Sequence, residues 1–260
     1  MLQNFNLTGE VLSIDEQSES LVRILIENQH REFKTKDQAT ALVLKKSNFT
    51  VDLTGSRAAQ AATEISVGNL VSVTAQFIST EKNAETPGYG NPWLTEDQNE
   101  GFYWLDASRM NFLAEKADPK REDQYDLTLA GHLGRDPEMK YSANGVAFTN
   151  INLGTARSWY NPETEKWEKN TAWFRLVAFR GTAEFLNANL VKGNPLLVTA
   201  VLEVDDETGG PKTWESEKSG TGVSYNARIE RAVPLLPKKQ PVTPAMEEGY
   251  RSADEEEIPF

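Results

Sequence analysis

The chain repeats itself. Val67-Gly68-Asn69-Leu70-Val71-Ser72-Val73-Thr74-Ala75 runs parallel to Lys192-Gly193-Asn194-Pro195-Leu196-Leu197-Val198-Thr199-Ala200, 125 positions later. At that spacing Phe49 falls on Phe174, Val51 on Leu176, Ala58 on Ala183 and Ile65 on Leu190. Nearer the start, Leu7-Thr8-Gly9 resembles Leu129-Ala130-Gly131. An ungapped match, apolar on apolar, predicts a tandem duplication in which each copy builds its own core.

Each copy reads as strands with one helix. In the first, strand-like runs cover Phe5 to Ile14, Leu21 to Glu27, Phe49 to Leu53, Leu70 to Ile78 and Phe102 to Phe112, and an Ala-rich helical segment covers Arg57 to Ile65. The second has strands near Tyr125 to Leu133, Val146 to Thr155, Trp173 to Phe179, Leu196 to Val204 and Ser224 to Arg231. Its helix is placed at Thr182 to Leu190 and an Asn144-Gly145 turn at its first hairpin. A helix between the third and fourth of five strands is the order of a Greek-key OB-fold barrel. The predicted fold class is therefore all-β, with one short helix per barrel. The boundaries expected are a first barrel over 1–114, a charged linker over 115–124, a second barrel over 125–233 and a disordered acidic tail over 234–260. Glu81 to Gly101, rich in Gly, Pro, Asn and charge, reads as a long exposed loop.

Net charge, −12, argues at first against a polyanionic partner, but its distribution matters more. Residues 1–124 carry 12 basic against 19 acidic side chains, whereas 125–236 carry 12 against 14. The second copy is the less acidic of the two. No apolar run is long enough to cross a bilayer, and the first residues do not read as a secretory signal. Cysteine is absent, which removes disulfides, thiolate-bound zinc and a thiol nucleophile and fits a cytoplasmic location. The only two histidines, His30 and His132, lie in different copies without metal-ligand spacing, and no Gly-Lys-Ser/Thr phosphate loop occurs. The expectation is a non-catalytic protein without a cofactor or metal.

The copies differ on one strand face. Along Trp173-Phe174-Arg175-Leu176-Val177-Ala178-Phe179, alternation puts Phe174, Leu176 and Ala178 on a core face and Trp173, Arg175, Val177 and Phe179 on the other. Two large rings beside a guanidinium suit unpaired bases and their phosphates. The alternative is a second core or a subunit contact. The first copy has Asn48 opposite Trp173 and Thr54 opposite Phe179, so the apolar positions are kept while the outward rings are lost. The second copy is therefore expected to carry most of the stacking surface. Tyr89, Trp93, Tyr103 and Trp104 are the remaining aromatic candidates in the first. Trp159 falls in a polar stretch, Arg157-Ser158-Trp159-Tyr160-Asn161-Pro162, expected to be a loop presenting a stacking finger. Arg175, Arg157 and Lys140 are candidate phosphate partners, with ordinary solvated charge as the alternative.

These residues resemble the bacterial single-stranded-DNA-binding protein family. Leu129-Ala130-Gly131-His132-Leu133-Gly134-Arg135-Asp136-Pro137-Glu138-Met139-Lys140-Tyr141 is similar to that family's opening strand and Gly-Asp-Pro-Glu turn. Asn144-Gly145, Trp159, Trp173-Phe174-Arg175, Phe179, Ala183-Glu184 and Lys192-Gly193 fall at family-like spacing. The ending Asp254-Glu255-Glu256-Glu257-Ile258-Pro259-Phe260 is similar to the family's acidic tip. The resemblance implies base stacking on Trp159, Trp173 and Phe179, with Trp214 as the candidate for a fourth stacking position after an apparent insertion over Asp205 to Thr213. It implies tip-mediated recruitment of replication, repair and recombination proteins, and a homodimer of four barrels. Two features depart from the family: the first barrel lacks the aromatics, and the tail lacks a long Gly- and Gln-rich spacer. The expected function is sequence-nonspecific binding and protection of single-stranded DNA. An OB-fold adaptor that has lost most DNA binding, or an oligosaccharide-binding barrel, is the alternative.

Overall fold

Period-two alternation drives most of the described residues into strands. In the computed structural model, which describes residues 2–18, 20–36, 39–77, 103–161, 165–204, 212–216 and 220–235, two barrels follow one another. The first is built from β1 (Leu2–Ser18), β2 (Leu21–Lys36), β3 (Ala39–Thr54), α1 (Ser56–Glu64), β4 (Leu70–Phe77) and β5 (Tyr103–Ala114). The second contains β6 (Tyr125–Leu133), β7 (Glu138–Tyr141), β8 (Ala147–Asn161), β9 (Lys166–Phe179), α2 (Arg180–Asn189), β10 (Pro195–Glu203), β11 (Lys212–Ser216) and β12 (Gly220–Pro234). In the first barrel β1 pairs with β2 and β4, β4 with β5, and β5 lies parallel to β3, which returns to β2. In the second, β6 pairs with β8 and β10, β10 with β12, and β12 lies parallel to β9, which returns to β8. Both circuits are the expected five-stranded OB-fold, with β7 and β11 added to the second. The expected loop over Glu81 to Gly101 lies outside the described residues, as does the tail from 236 onward.

The duplication holds at the level of single hydrogen bonds. The Ile65 amide donates to the Ala61 carbonyl at 3.1 Å, and that of Leu190 to Leu186 at 3.0 Å, closing α1 and α2 alike. Asn69 Oδ1 accepts from the Ser66 amide at 2.8 Å, and Asn194 Oδ1 from the Val191 amide at 3.0 Å. Gly68 N–H reaches the Val11 carbonyl and Gly193 N–H that of Leu133, each at 2.8 Å. Phe49, Val51, Ala58, Phe174, Leu176 and Ala183 are sealed from water, at a transfer gain of about 1.5–3 kcal/mol for each of the larger side chains.

The two circuits join in one sheet because β1 pairs antiparallel with β6, from Leu2 opposite Ala130 to Leu7 opposite Tyr125. Phe5 stands opposite Leu127, which is its own counterpart in the repeat, so the pairing is symmetric about that point. The core runs through the junction. Phe77 from the first barrel meets Phe174 edge-on at 5.3 Å and Tyr225 at 4.9 Å, and Phe5 meets Tyr125 at 5.2 Å. Buried Gln3 ties the halves together: its amide donates to Thr155 Oγ1 at 2.6 Å and its oxygen accepts from the Phe77 amide at 2.9 Å. The segment between β5 and β6 is pinned to the first barrel. Arg121 contacts Glu10, Asp123 and the Glu27 carbonyl, and Asp123 accepts from the Gln29 amide at 2.7 Å.

Sequence and structure differ at the hairpins. β2 and β3 stay paired out to Lys36 opposite Ala39, and β8 and β9 out to Asn161 opposite Lys166, well past the expected strand ends. The stretch expected to be a loop around Trp159 is therefore strand. Around Trp159 the run Arg157-Ser158-Trp159-Tyr160-Asn161 has no apolar–polar alternation to betray a strand.

Candidate nucleic-acid interface

The outer face of the second barrel is built on β9. Core-facing Phe174, Leu176 and Ala178 are buried, which turns Trp173, Arg175, Val177 and Phe179 outward as alternation requires. Trp173 is 49 % exposed and Phe179 43 %, so these rings are neither core nor free in solvent. Trp173 stands opposite Gly154 on β8, and the benzo edge of its indole rests on Gly154 and Gly134. A Cβ placed on Gly154 would lie 2.9 Å from the ring, and one on Gly134 2.7 Å. Two residues without side chains thus form a floor, leaving the rest of the indole open. Phe179 is braced by its cross-strand partner Phe148, with centroids 6.3 Å apart, and Phe148 in turn pairs with Lys140 on β7.

Between the two rings lies an open depression of about 580 Å³, lined by Arg135, Asn150, Asn152, Arg175, Val177 and Asn226 among others. Arg175 is flanked in register by Asn152 on β8 and Asn226 on β12, so a cation and two amides sit side by side. Neither Arg175 nor Arg135 makes an ion pair among the described residues. Glu203, also lining the depression, is the one carboxylate in its wall among the described residues. Neutral amides and unspent guanidinium groups beside flat rings can donate to phosphate and base edges while the rings take the base faces.

The remaining candidates scatter. Lys140 is exposed, with Glu138 4.0 Å away. Trp159 lies on β8 opposite Glu168, and Arg157 opposite Asn170. Trp214 lies on the added strand β11 opposite Gly222. Asp254, Glu255, Glu256, Glu257, Ile258, Pro259 and Phe260 lie outside the described residues, as do Tyr89 and Trp93; Tyr103 and Trp104 are on β5. Sequence reasoning missed Trp167, 74 % exposed and six residues before Trp173 on the same strand. Extending the alternation Trp173, Thr171, Lys169, Trp167 finds it. It also missed Asn152 and Asn226, which only cross-strand register brings to Arg175.

The first barrel's equivalent face is filled differently. Glu27 and Asn48 face each other where the second barrel has Gly154 and Trp173. Beside them Arg23 forks onto Asp52 with bonds of 2.7 and 3.1 Å, at the place of Asn150 and Val177. Burial pushes the Glu27 carboxyl up, but hydrogen bonds from Lys46 and Gln29 and the charges of Lys46 and Arg121 more than reverse this, leaving it below its ordinary value. At Asp123, 2 % exposed in its side chain, burial outweighs the Gln29 amide and Arg121, and the carboxyl is held above its ordinary value.

Residues 125–219 match the model of the Single-strand binding protein family. The match covers the second barrel from β6 through β11, the part that carries the floored indole, and over that span the chain is similar to the family. Two crystal structures of the single-stranded DNA binding protein from Thermus aquaticus are similar to the whole chain. The wild-type protein superposes with a TM-score of 0.57 at 17% identity, covering 93% of this chain and 96% of its own. A deletion mutant gives 0.57 at 18%, covering 93% and 98%. At such identity the likeness is one of fold, and it includes the first barrel, which the family model leaves out. Among the described residues no helix is long and apolar enough to cross a membrane, and no group of three or more His, Asp or Glu is placed to hold a metal ion.

Proposed function

We propose that this protein binds single-stranded DNA without regard to sequence, through the outer face of the second barrel. The observation that carries the reading is Trp173 laid on a glycine floor, half open to solvent, six residues from half-exposed Phe179 with Arg175 between. Each stacked base contributes about 1–3 kcal/mol and every base has a face to offer, so affinity is sequence-tolerant. Arg175, Arg157 and Lys140 supply phosphate neutralisation, which makes binding fall with salt. Trp159 and Trp214 are the further stacking candidates. The family match at 125–219 and the likeness to the Thermus aquaticus protein support the same reading.

The finer part of the proposal concerns assembly and partners. The protein is a cytoplasmic, nucleoid-associated homodimer. Its tip, Asp254 to Phe260, recruits replication, repair and recombination proteins: proline limits the entropy lost on docking, the Phe260 ring fills a small pocket, and the acid run steers toward basic surfaces.

Titration with oligo-dT tests the core of the reading. Tryptophan fluorescence falls on binding, affinity declines steeply with salt, and oligo-dC competes within a few-fold. The ion-paired face of the first barrel favours one second reading, an adaptor that keeps the barrels but not the DNA. Absence of any gel retardation at low salt would select it.

A further inference from the structure

Only two described residues other than glycine have a positive φ, and one of them, Arg180 at 54°, directly follows Phe179. Its counterpart in the first barrel is Gly55, with φ 59°. Both copies turn from the third barrel strand into the helix through a residue of positive φ. One uses the residue that adopts this conformation freely and the other uses arginine, whose Cβ crowds the backbone there. The next residue sharpens the contrast. Gly181 is not in the left-handed region, and a Cβ there would meet nothing within 4 Å. The second barrel thus has its glycine at the position that tolerates any side chain and its arginine at the position that asks for glycine. Backbone strain of this kind persists only where the surrounding structure over-determines it, and it clusters at functional sites. Arg180 is exposed and makes no ion pair among the described residues, so it neither buries surface nor neutralises a carboxylate to offset the cost.

We infer that Arg180 is a phosphate-binding residue at the Phe179 end of the DNA track, kept in a strained conformation because the guanidinium is needed beside the last stacking ring. The inference rests on the proposed DNA-binding reading of the second barrel. In the first barrel, where Thr54 stands in place of Phe179, the same turn carries the relaxed residue, as this role requires.

The test is Arg180→Gly in the full chain, read by thermal unfolding and by oligo-dT titration across salt concentrations. Relief of strain raises Tm by about 2–4 °C. Affinity at low salt falls about threefold to tenfold, and the slope of log K against log salt shrinks by about 0.7, one phosphate contact on a single strand. Arg180→Lys keeps the slope and shows no gain in Tm. Lys116→Ala, which removes an exposed charge on the segment between the barrels, leaves the slope unchanged. The inference is overturned if Arg180→Gly lowers Tm, if it leaves affinity and slope alone, or if Lys116→Ala changes the slope as much. Trp173→Ala in parallel separates the two levels. If it weakens binding while Arg180→Gly does not, only the role of Arg180 fails. If Trp173→Ala is also without effect, the DNA-binding face itself is misassigned.

Discussion

Two barrels of one chain share a skeleton and diverge on one face. In the second, β9 presents Trp173, Arg175 and Phe179 over Gly154, Gly134 and Phe148, and its guanidinium groups have no carboxylate partner among the described residues. The same face of the first is occupied by Arg23 on Asp52 and Lys46 on Glu27. Charges that satisfy one another have little left for a ligand, because a phosphate would first have to displace a carboxylate already in place. Binding capacity here follows from which charges and rings remain unspent, not from the barrel.

The comparison is tested most severely in the interior, where the copies are alike. Phe49→Ala and Phe174→Ala each remove a fully buried ring, and denaturant unfolding should register losses of about 3–5 kcal/mol from either. Unequal losses would mean that the two cores are not equivalent. On the faces the expected outcome is opposite. Trp173→Ala costs about 1–3 kcal/mol of oligo-dT affinity and Asn48→Ala leaves it unchanged, as fluorescence or anisotropy titration measures. Equal effects would reverse the assignment of the working face.

The interior was legible because strand alternation and the ungapped repeat both report on it. Phe49 on Phe174 and Ile65 on Leu190 came from the sequence and are buried together. The same alternation turned Trp173 and Phe179 outward. What stayed hidden depends on neighbours across strands. That Gly154 lies beneath Trp173, or that Asn226 flanks Arg175, is a matter of register, and no local pattern encodes it. The strand carrying Trp159 differs from the expected loop because Arg157-Ser158-Trp159-Tyr160-Asn161 has no apolar–polar alternation to mark it.

Smaller effects sharpen the contrast further. Gly154→Ala puts a methyl group where the indole rests, and should lower affinity by about 1 kcal/mol with little change in fold, checked by titration and circular dichroism. Glu27→Gln acts on the other face and on stability alone. Because the Glu27 carboxyl is held below its ordinary value of 4.5, the charged form stabilises the fold above that pH and the benefit is lost as pH falls through the lowered value. The substitution should therefore cost about 1 kcal/mol or less near neutrality, and the cost should shrink as acid protonates the carboxyl, read from unfolding curves along a falling pH series. Oligo-dT affinity should not change at all.

The β1–β6 seam, symmetric about Phe5 and Leu127, has a consequence for how such a molecule evolves. Where two identical polypeptides meet across an axis, every mutation is written twice and a surface cannot be improved on one side alone. Here both sides of the axis are encoded separately within one gene product, always present in equal number. A substitution can therefore be neutral in one half and damaging in the other, leaving one half free to drift into an acidic scaffold while its twin keeps the ligand.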